Sequence, residues 1–210
     1  MKTTVEFYFG FGSRFSYLAS TQIPALERDL GVHVAWRATS VGALVKARGG
    51  QNPFVRDASG NWSGVVMSGQ YDETYRRTDL ARWARFYDVP YNEPPPPVMD
   101  STRRALYAVA AELQGLAAPF SRALFASIYE DTTATAEDDC LGIARAVGLD
   151  EKKLQDDLAS GAAQSRHDVF VTEAMASRAF GVPTFIVGKE LFWGNDRLVL
   201  LRDHLKRTNA

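Results

Sequence analysis

Apolar and polar positions alternate most clearly at the two ends of the chain. Thr4–Phe9 is β-branched and aromatic until Gly10-Phe11-Gly12 breaks it, which predicts a strand. Leu18, Ile23, Leu26 and Leu30 then recur loosely at helical spacing as far as Gly31, with Pro24 predicted to kink the helix. Residues 32–36 alternate again and predict a second strand. A short strand–helix–strand unit of this kind favours a parallel pair joined by a right-handed crossover.

From about residue 41 to residue 180 the apolar period lengthens to that of helices. Leu106, Val109, Ala110 and Leu113 make one stripe, and Phe120, Leu124 and Ile128 another. Thr135-Ala-Glu-Asp138 has the spacing of a capping box and predicts a helix that runs through Val147 and stops at Gly148. Leu154 and Leu158 mark a further helix, and residues 164–179 another. Residues 51–69 read as a long loop, and the prolines at 94–97 as an extended linker. Tyr75, Asp79 and Trp83 share one helix face expected to pack inward. After Gly181 strand character returns, with Thr184–Val187 and Glu190–Trp193 on either side of a Gly188-Lys189 turn. Gly194-Asn195-Asp196 opens a last helix with Leu198, Leu201 and Leu205 on one face. The pattern predicts an α/β chain whose one mixed sheet is built from both ends, with a helical domain inserted between its halves.

Composition narrows the chemistry. Two hundred and ten residues make one domain, or one domain interrupted by a second. Lys plus Arg number 24 and Asp plus Glu 25, a net charge of −1 that leaves no electrostatic footprint for nucleic acid or an anionic membrane. No run of 18 apolar residues and no signal-type segment occurs, so the expected compartment is the cytoplasm. The single cysteine, Cys140, excludes an intrachain disulfide, a structural zinc cluster and a two-cysteine redox centre. It falls within a predicted helix, as a buried thiol. His33, His167 and His204 show no ligand spacing, and Gly10-Phe11-Gly12 lacks the third glycine of a dinucleotide fingerprint.

Candidate chemistry collects at three junctions between elements. Ser13, in Ser13-Arg14-Phe15-Ser16, suits a helix N-cap, and a hydroxyl at a helix N-terminus also stabilises an anion. Val182-Pro183 lies between a helix stop and a strand. A cis bond there would turn the backbone N–H and C=O of Val182 outward, towards an extended peptide ligand. Asn195 or Asp196 suits a cap for the last helix; alternatively Asp196 pairs with a ligand ammonium while helix-start amides meet a carboxylate.

Taken together, the three junctions form a pattern. Ser13 to Ser16 stands where a thioredoxin-like fold carries Cys-x-x-Cys, and Val182-Pro183 where it carries its cis-proline loop. Phe11-Gly-Ser13-Arg-Phe-Ser-Tyr17-Leu18-Ala and Tyr75-Arg-Arg-Thr-Asp79-Leu-Ala-Arg82-Trp83-Ala84 resemble the 2-hydroxychromene-2-carboxylate isomerases. So do Phe180-Gly-Val-Pro-Thr-Phe185-Ile-Val-Gly and Phe192-Trp-Gly-Asn-Asp196-Arg197. These isomerases and the kappa-class glutathione transferases form a glutathione-dependent branch of the superfamily. The resemblance implies a thioredoxin-like domain from residues 1–40 and 181–210, an inserted helical domain from 41–180, and a homodimer.

It also implies roles for residues. Ser13 would hydrogen-bond the glutathione sulfur and hold it as thiolate. Val182, with Pro183, would meet the cysteinyl backbone, and Asn195 and Asp196 the γ-glutamyl end. Gly50-Gln51-Asn52-Pro53 corresponds to the family's Gly-Asn-Lys-Pro segment, which makes Gln51 and Asn52 cofactor candidates and leaves out the lysine. Arg14 stands where the family has proline, and Arg14, Arg76 and Arg77 are the candidates for a substrate carboxylate.

The activity so implied is isomerisation of an aromatic-derived unsaturated keto acid by reversible addition of the glutathione thiolate. A kappa-like transferase conjugating small electrophiles, and a non-catalytic binding module in which Ser13 is only a cap, are the alternatives. Thiol–disulfide exchange is excluded, because Ser13 and Ser16 supply neither an attacking nor a resolving cysteine. On this reading the reactive sulfur comes from outside the chain.

Overall fold

The alternating N-terminal segments form β1 (Thr4–Phe9) and β2 (His33–Ala38), paired in parallel with Val5 opposite Val34, Phe7 opposite Trp36 and Phe9 opposite Ala38. The computed structural model describes residues 2–49, 55–56, 62–63, 73–94, 101–133 and 136–208. Between the two strands lie two helices in place of the one kinked helix expected, α1 (Arg14–Thr21) and α2 (Ile23–Leu30), parted at Gln22. Pro24 explains the break: it has no N–H to donate and is at home only in a helix's first turn.

Next come α3 (Val41–Ala47), a short antiparallel pair β3 (Val55–Arg56) and β4 (Trp62–Ser63), α4 (Glu73–Tyr87) and α5 (Ser101–Glu112). They are followed by α6 (Ala117–Tyr129), α7 (Glu137–Ala146), α8 (Glu151–Ala159) and α9 (Ala162–Ala176). The chain closes with β5 (Thr184–Val187), β6 (Glu190–Trp193), a 3-10 turn (Asn195–Arg197) and α10 (Leu198–Thr208). The sheet order is β2-β1-β5-β6, with β5 antiparallel to both its neighbours, so both chain ends build one mixed sheet as expected. The β3–β4 pair corrects the loop expected over 51–69. The remainder of that stretch, with Gln51 and Asn52, lies outside the described residues, as do residues 95–97 of the proline linker.

The two faces of β1 set the layers. Val5, Phe7 and Phe9 are fully buried. Phe7 stacks on Phe185 of β5 at 4.8 Å and meets Trp36 edge-on at 5.1 Å, while Phe9 reaches Phe11 at 5.4 Å and Phe125 of α6 at 5.6 Å. Aromatic pairs of this kind add roughly 0.5–1.5 kcal/mol each beyond the area they bury. On the opposite face Arg37, across from Tyr8, pairs with Glu6 at 3.6 Å and with Glu112 of α5 at 3.5 Å. The guanidinium groups of Arg37 and Arg166 both lie over the ring of Phe170 on α9, at 4.8 and 4.6 Å.

Three sequence expectations shift here. The α5 stripe is wider than Leu106–Leu113 implied. Arg104, Ala105 and residues 107–111 are buried, Leu106 is half-buried and Leu113 is exposed. The alanines let α6, α8, α9 and β2 approach the helix from several sides. The α7 cap falls one residue later, with the Asp139 carboxylate accepting from the Ala136 N–H at 2.7 Å, and Thr135 lies outside the described residues. On α4 the buried positions are Leu80 and Ala84, while Tyr75 is exposed.

Candidate active site

The C-terminal ends of β1 and β2 converge with the loop before β5. A Cβ on Gly10 would stand 3.0 Å from the Thr39 carbonyl and 3.5 Å from the Val182 side chain. Ser13 follows at the N-cap of α1 in an extended conformation, its Oγ accepting from the Ser16 N–H at 3.1 Å and donating to the Val182 carbonyl at 3.4 Å. The fully buried Ser16 Oγ accepts from the Gly10 N–H at 3.4 Å. Ser13 is therefore a cap, and its hydroxyl also reaches across to the second junction.

The Val182-Pro183 bond is cis. The loop around it is tied down by Thr184 Oγ1 donating to the Gly181 carbonyl at 2.7 Å and by the Gly194 N–H donating to the Pro183 carbonyl at 2.9 Å. Gly181 is glycine for want of room, since a Cβ there would lie 2.7 Å from the Trp193 indole nitrogen.

That Gly194–Pro183 bond brings in the third junction, and the 3-10 turn packs against α1. Neither Asn195 nor Asp196 caps through its side chain; Gly194 takes the cap position at φ +106°, and the Asp196 carboxylate fills the space a Cβ would need there. Asp196 is half-buried and its Oδ2 pairs with Arg197 at 2.7 Å. Asn195 is 3% exposed, and its side-chain Nδ2 has no hydrogen-bond partner. A buried donor left unbonded costs about 1–3 kcal/mol, and most such groups in folded proteins find a partner. The Asn195 carbonyl accepts from the Tyr87 hydroxyl at 3.0 Å; burial pushes that hydroxyl up to about 12, against the pull of the Asn195 side chain.

The three arginines divide. Arg14, the first residue of α1, donates from Nε to Glu93 Oε1 at 2.8 Å and makes a second contact to the same oxygen. Arg76 reaches that oxygen at 3.5 Å, and the Tyr91 hydroxyl donates to the other. Arg77, next along α4, is exposed. Burial raises the Glu93 carboxyl, but the bonds from Arg14 and Tyr91 outweigh it and hold the group below the usual carboxylate range. Tyr17, Tyr91 and Tyr129 stack beside this cluster, at 5.1 Å for Tyr17–Tyr129 and 6.2 Å for Tyr91–Tyr129. Burial likewise pushes Tyr129 up to about 12, against the pull of Arg14 and Arg104.

Glu93 escaped the sequence reading because the segment after α4 has no apolar period. The one signal was Arg14 itself, a partly buried cation that demands a counter-charge.

Residues 4–206 match the family model of the DSBA-like thioredoxin domain. A 2-hydroxychromene-2-carboxylate isomerase of Sphingobium xenophagum is 32% identical over 207 residues, 98% of this chain and 99% of the relative. The chain belongs to the 2-hydroxychromene-2-carboxylate isomerase family. A solved 2-hydroxychromene-2-carboxylate isomerase matches it at a TM-score of 0.78 and 26% identity, over 98% of this chain and 95% of that one. The cytosolic disulfide reductase DsbM of Pseudomonas aeruginosa, solved with GSH, shares the fold at a TM-score of 0.65 and 16% identity, over 98% and 96% of the two chains. The thioredoxin-like mixed sheet expected from the two chain ends is thus the fold of this isomerase family, with Ser13 capping the helix that follows its first strand.

Proposed function

We propose that this chain is a glutathione-dependent isomerase of the 2-hydroxychromene-2-carboxylate type. The observation that carries the reading is the Ser13 hydroxyl at the N-terminus of α1, 3.4 Å from the carbonyl that precedes the cis proline. That bond is at the long end for an O–H donor, so turning the proton towards a sulfur anion costs little. The first turn of α1 holds no acidic residue, which leaves the positive end of the helix dipole uncancelled. Both effects favour a thiolate over a thiol, whose free pKa is about 8.5.

The residues present supply groups of the kinds the tripeptide needs. On this reading Val182 meets the cysteinyl unit through its backbone, and the unbonded Asn195 Nδ2 is the donor for a carboxylate. Asp196, half-buried beside it, is the acceptor for an ammonium. When bound, glutathione supplies a sulfur nucleophile that adds reversibly to a conjugated carbon and leaves again. The chain's part is to hold the sulfur charged through Ser13 and to orient the tripeptide from both sides of the cis-proline loop.

Calorimetry and thiolate absorbance test this together. Wild type binds glutathione and lowers the thiol pKa, while Ser13→Ala still binds it with the pKa raised by about one unit, as for one lost charge-assisted hydrogen bond. No binding at millimolar glutathione sinks the reading. An assay in which glutathione is consumed rather than returned points to the transferase.

A further inference from the structure

Two of the three arginines that the sequence offered to a substrate carboxylate already hold a carboxylate of the chain itself. Arg14 and Arg76 both engage Glu93 Oε1, and Tyr91 engages Oε2. The arrangement is fixed by its surroundings. The Asn92 N–H donates to the Tyr129 carbonyl at 2.7 Å, the Asn92 side-chain amide to the Glu130 carbonyl at 2.5 Å, and the Tyr17 hydroxyl to the Pro90 carbonyl at 2.5 Å. Residues 90–92 are thereby tied to α1 and to the end of α6, and they carry Glu93 to its seat.

The seat borders the Ser13 turn. Arg14 follows Ser13 directly, and the Tyr129 hydroxyl donates to the Phe11 carbonyl at 2.6 Å. Side-chain exposures of 20% for Arg14, 18% for Arg76 and 28% for Glu93 put the cluster largely out of solvent, where charges are poorly screened.

We propose that Glu93 is a specificity-determining residue that fills the carboxylate seat beside Ser13, so that this wall receives an uncharged part of the substrate. A second carboxylate here would find Nε and Nη2 of Arg14 already on Glu93 and would face the Glu93 charge at short range, which discriminates by repulsion. Of the three stacked tyrosines Tyr17 and Tyr129 are buried, which leaves the half-buried Tyr91 to meet a ring. The inference rests on the Ser13 site being the glutathione site.

The test titrates cinnamate and its neutral amide, cinnamamide, into the protein with and without saturating S-methylglutathione. The wild-type acid–amide ratio is the reference. Glu93→Gln, which keeps the shape and removes the charge, should shift the ratio at least about tenfold towards the acid, the scale of a charge-assisted contact. Glu93→Asp keeps the charge and should keep the wild-type ratio. A Glu93→Asp ratio that moves as far as that of Glu93→Gln overturns the proposal. So does a Glu93→Gln ratio within about threefold of wild type, whatever the absolute affinities. Should Glu93→Gln fail to fold, Glu93→Ser, also neutral, takes its place with the same thresholds. Loss of S-methylglutathione binding alone counts against the glutathione reading, and the acid–amide comparison is then scored without it.

Discussion

Asn195 carries a buried amide donor with nothing to bond in the free protein, and that imbalance separates binding from stability at one residue. Asn195→Ala should lower glutathione affinity about tenfold, or ~1.4 kcal/mol, while thermal unfolding shifts little, because no hydrogen bond of the free side chain is lost. Calorimetry beside a thermal melt checks both halves, and a large loss of stability with intact affinity contradicts the assignment. Gly194→Ala should behave oppositely. At φ +106° a side chain is strained, and its Cβ would displace the Asp196 carboxylate, so about 1–3 kcal/mol of stability and much of the glutathione affinity should go together in urea unfolding and calorimetry. The junctions that hold Ser13, Val182 and Asn195 were legible in the sequence because each sits where the apolar pattern changes period. Glu93 was not, since its partners Arg14 and Arg76 lie 79 and 17 residues away and its own segment is aperiodic.

Elements were legible to the extent that local pattern decided them. β1, β5 and β6 end where the alternation ends, and Gly31 and Gly148 stop their helices. What failed was set by packing or by competition between neighbouring signals. Pro24 broke a helix instead of bending it, because Gln22 can end one helix and start the next. The Leu106–Leu113 stripe missed the width of α5's buried face, because alanine carries too little hydrophobicity to mark a contact that its small size allows. The polar face of the sheet shows the same limit: Arg166 stands one helical turn before Phe170, but nothing near Phe170 in the sequence announces that Arg37 also covers its ring. Phe170→Ala should cost about 3–5 kcal/mol in urea unfolding, through the cavity and through two guanidinium groups left without a ring to cover. Phe170 packs on the polar face of β1 and β2, so the folded fraction should bind glutathione as wild type does. A cost below about 1 kcal/mol would show that the ring holds little of α9 to the sheet.

At the scale of the molecule, one mixed sheet brings distant segments to one end. The end of β1, the end of β2, the loop before β5 and the turn after β6 all meet around Ser13, so the site depends on the sheet closing. The far side of that sheet carries a pH dependence of its own. His167 on α9 is 2% exposed, neither ring nitrogen has a hydrogen-bond partner, and Asp168 Oδ1 lies 3.6 Å from Nδ1. Burial holds its pKa below the ordinary histidine value, and the attraction of Asp168 opposes this without reversing it. The unfolded chain takes up a proton near pH 6.5 whereas the folded chain does not, so below about pH 6.5 the unfolded state binds more protons. Stability from this residue is therefore full above that pH, falls as pH drops through it, and levels off once the folded histidine also titrates. Because α9 packs on α5 and β2, acidification should loosen the shared core before it changes the chemistry at Ser13. Urea unfolding of wild type and His167→Leu at pH 7.5, 6.5 and 5.5 measures the effect. Wild type should lose more stability than the variant over that range, and equal losses would remove His167 as the origin of the slope.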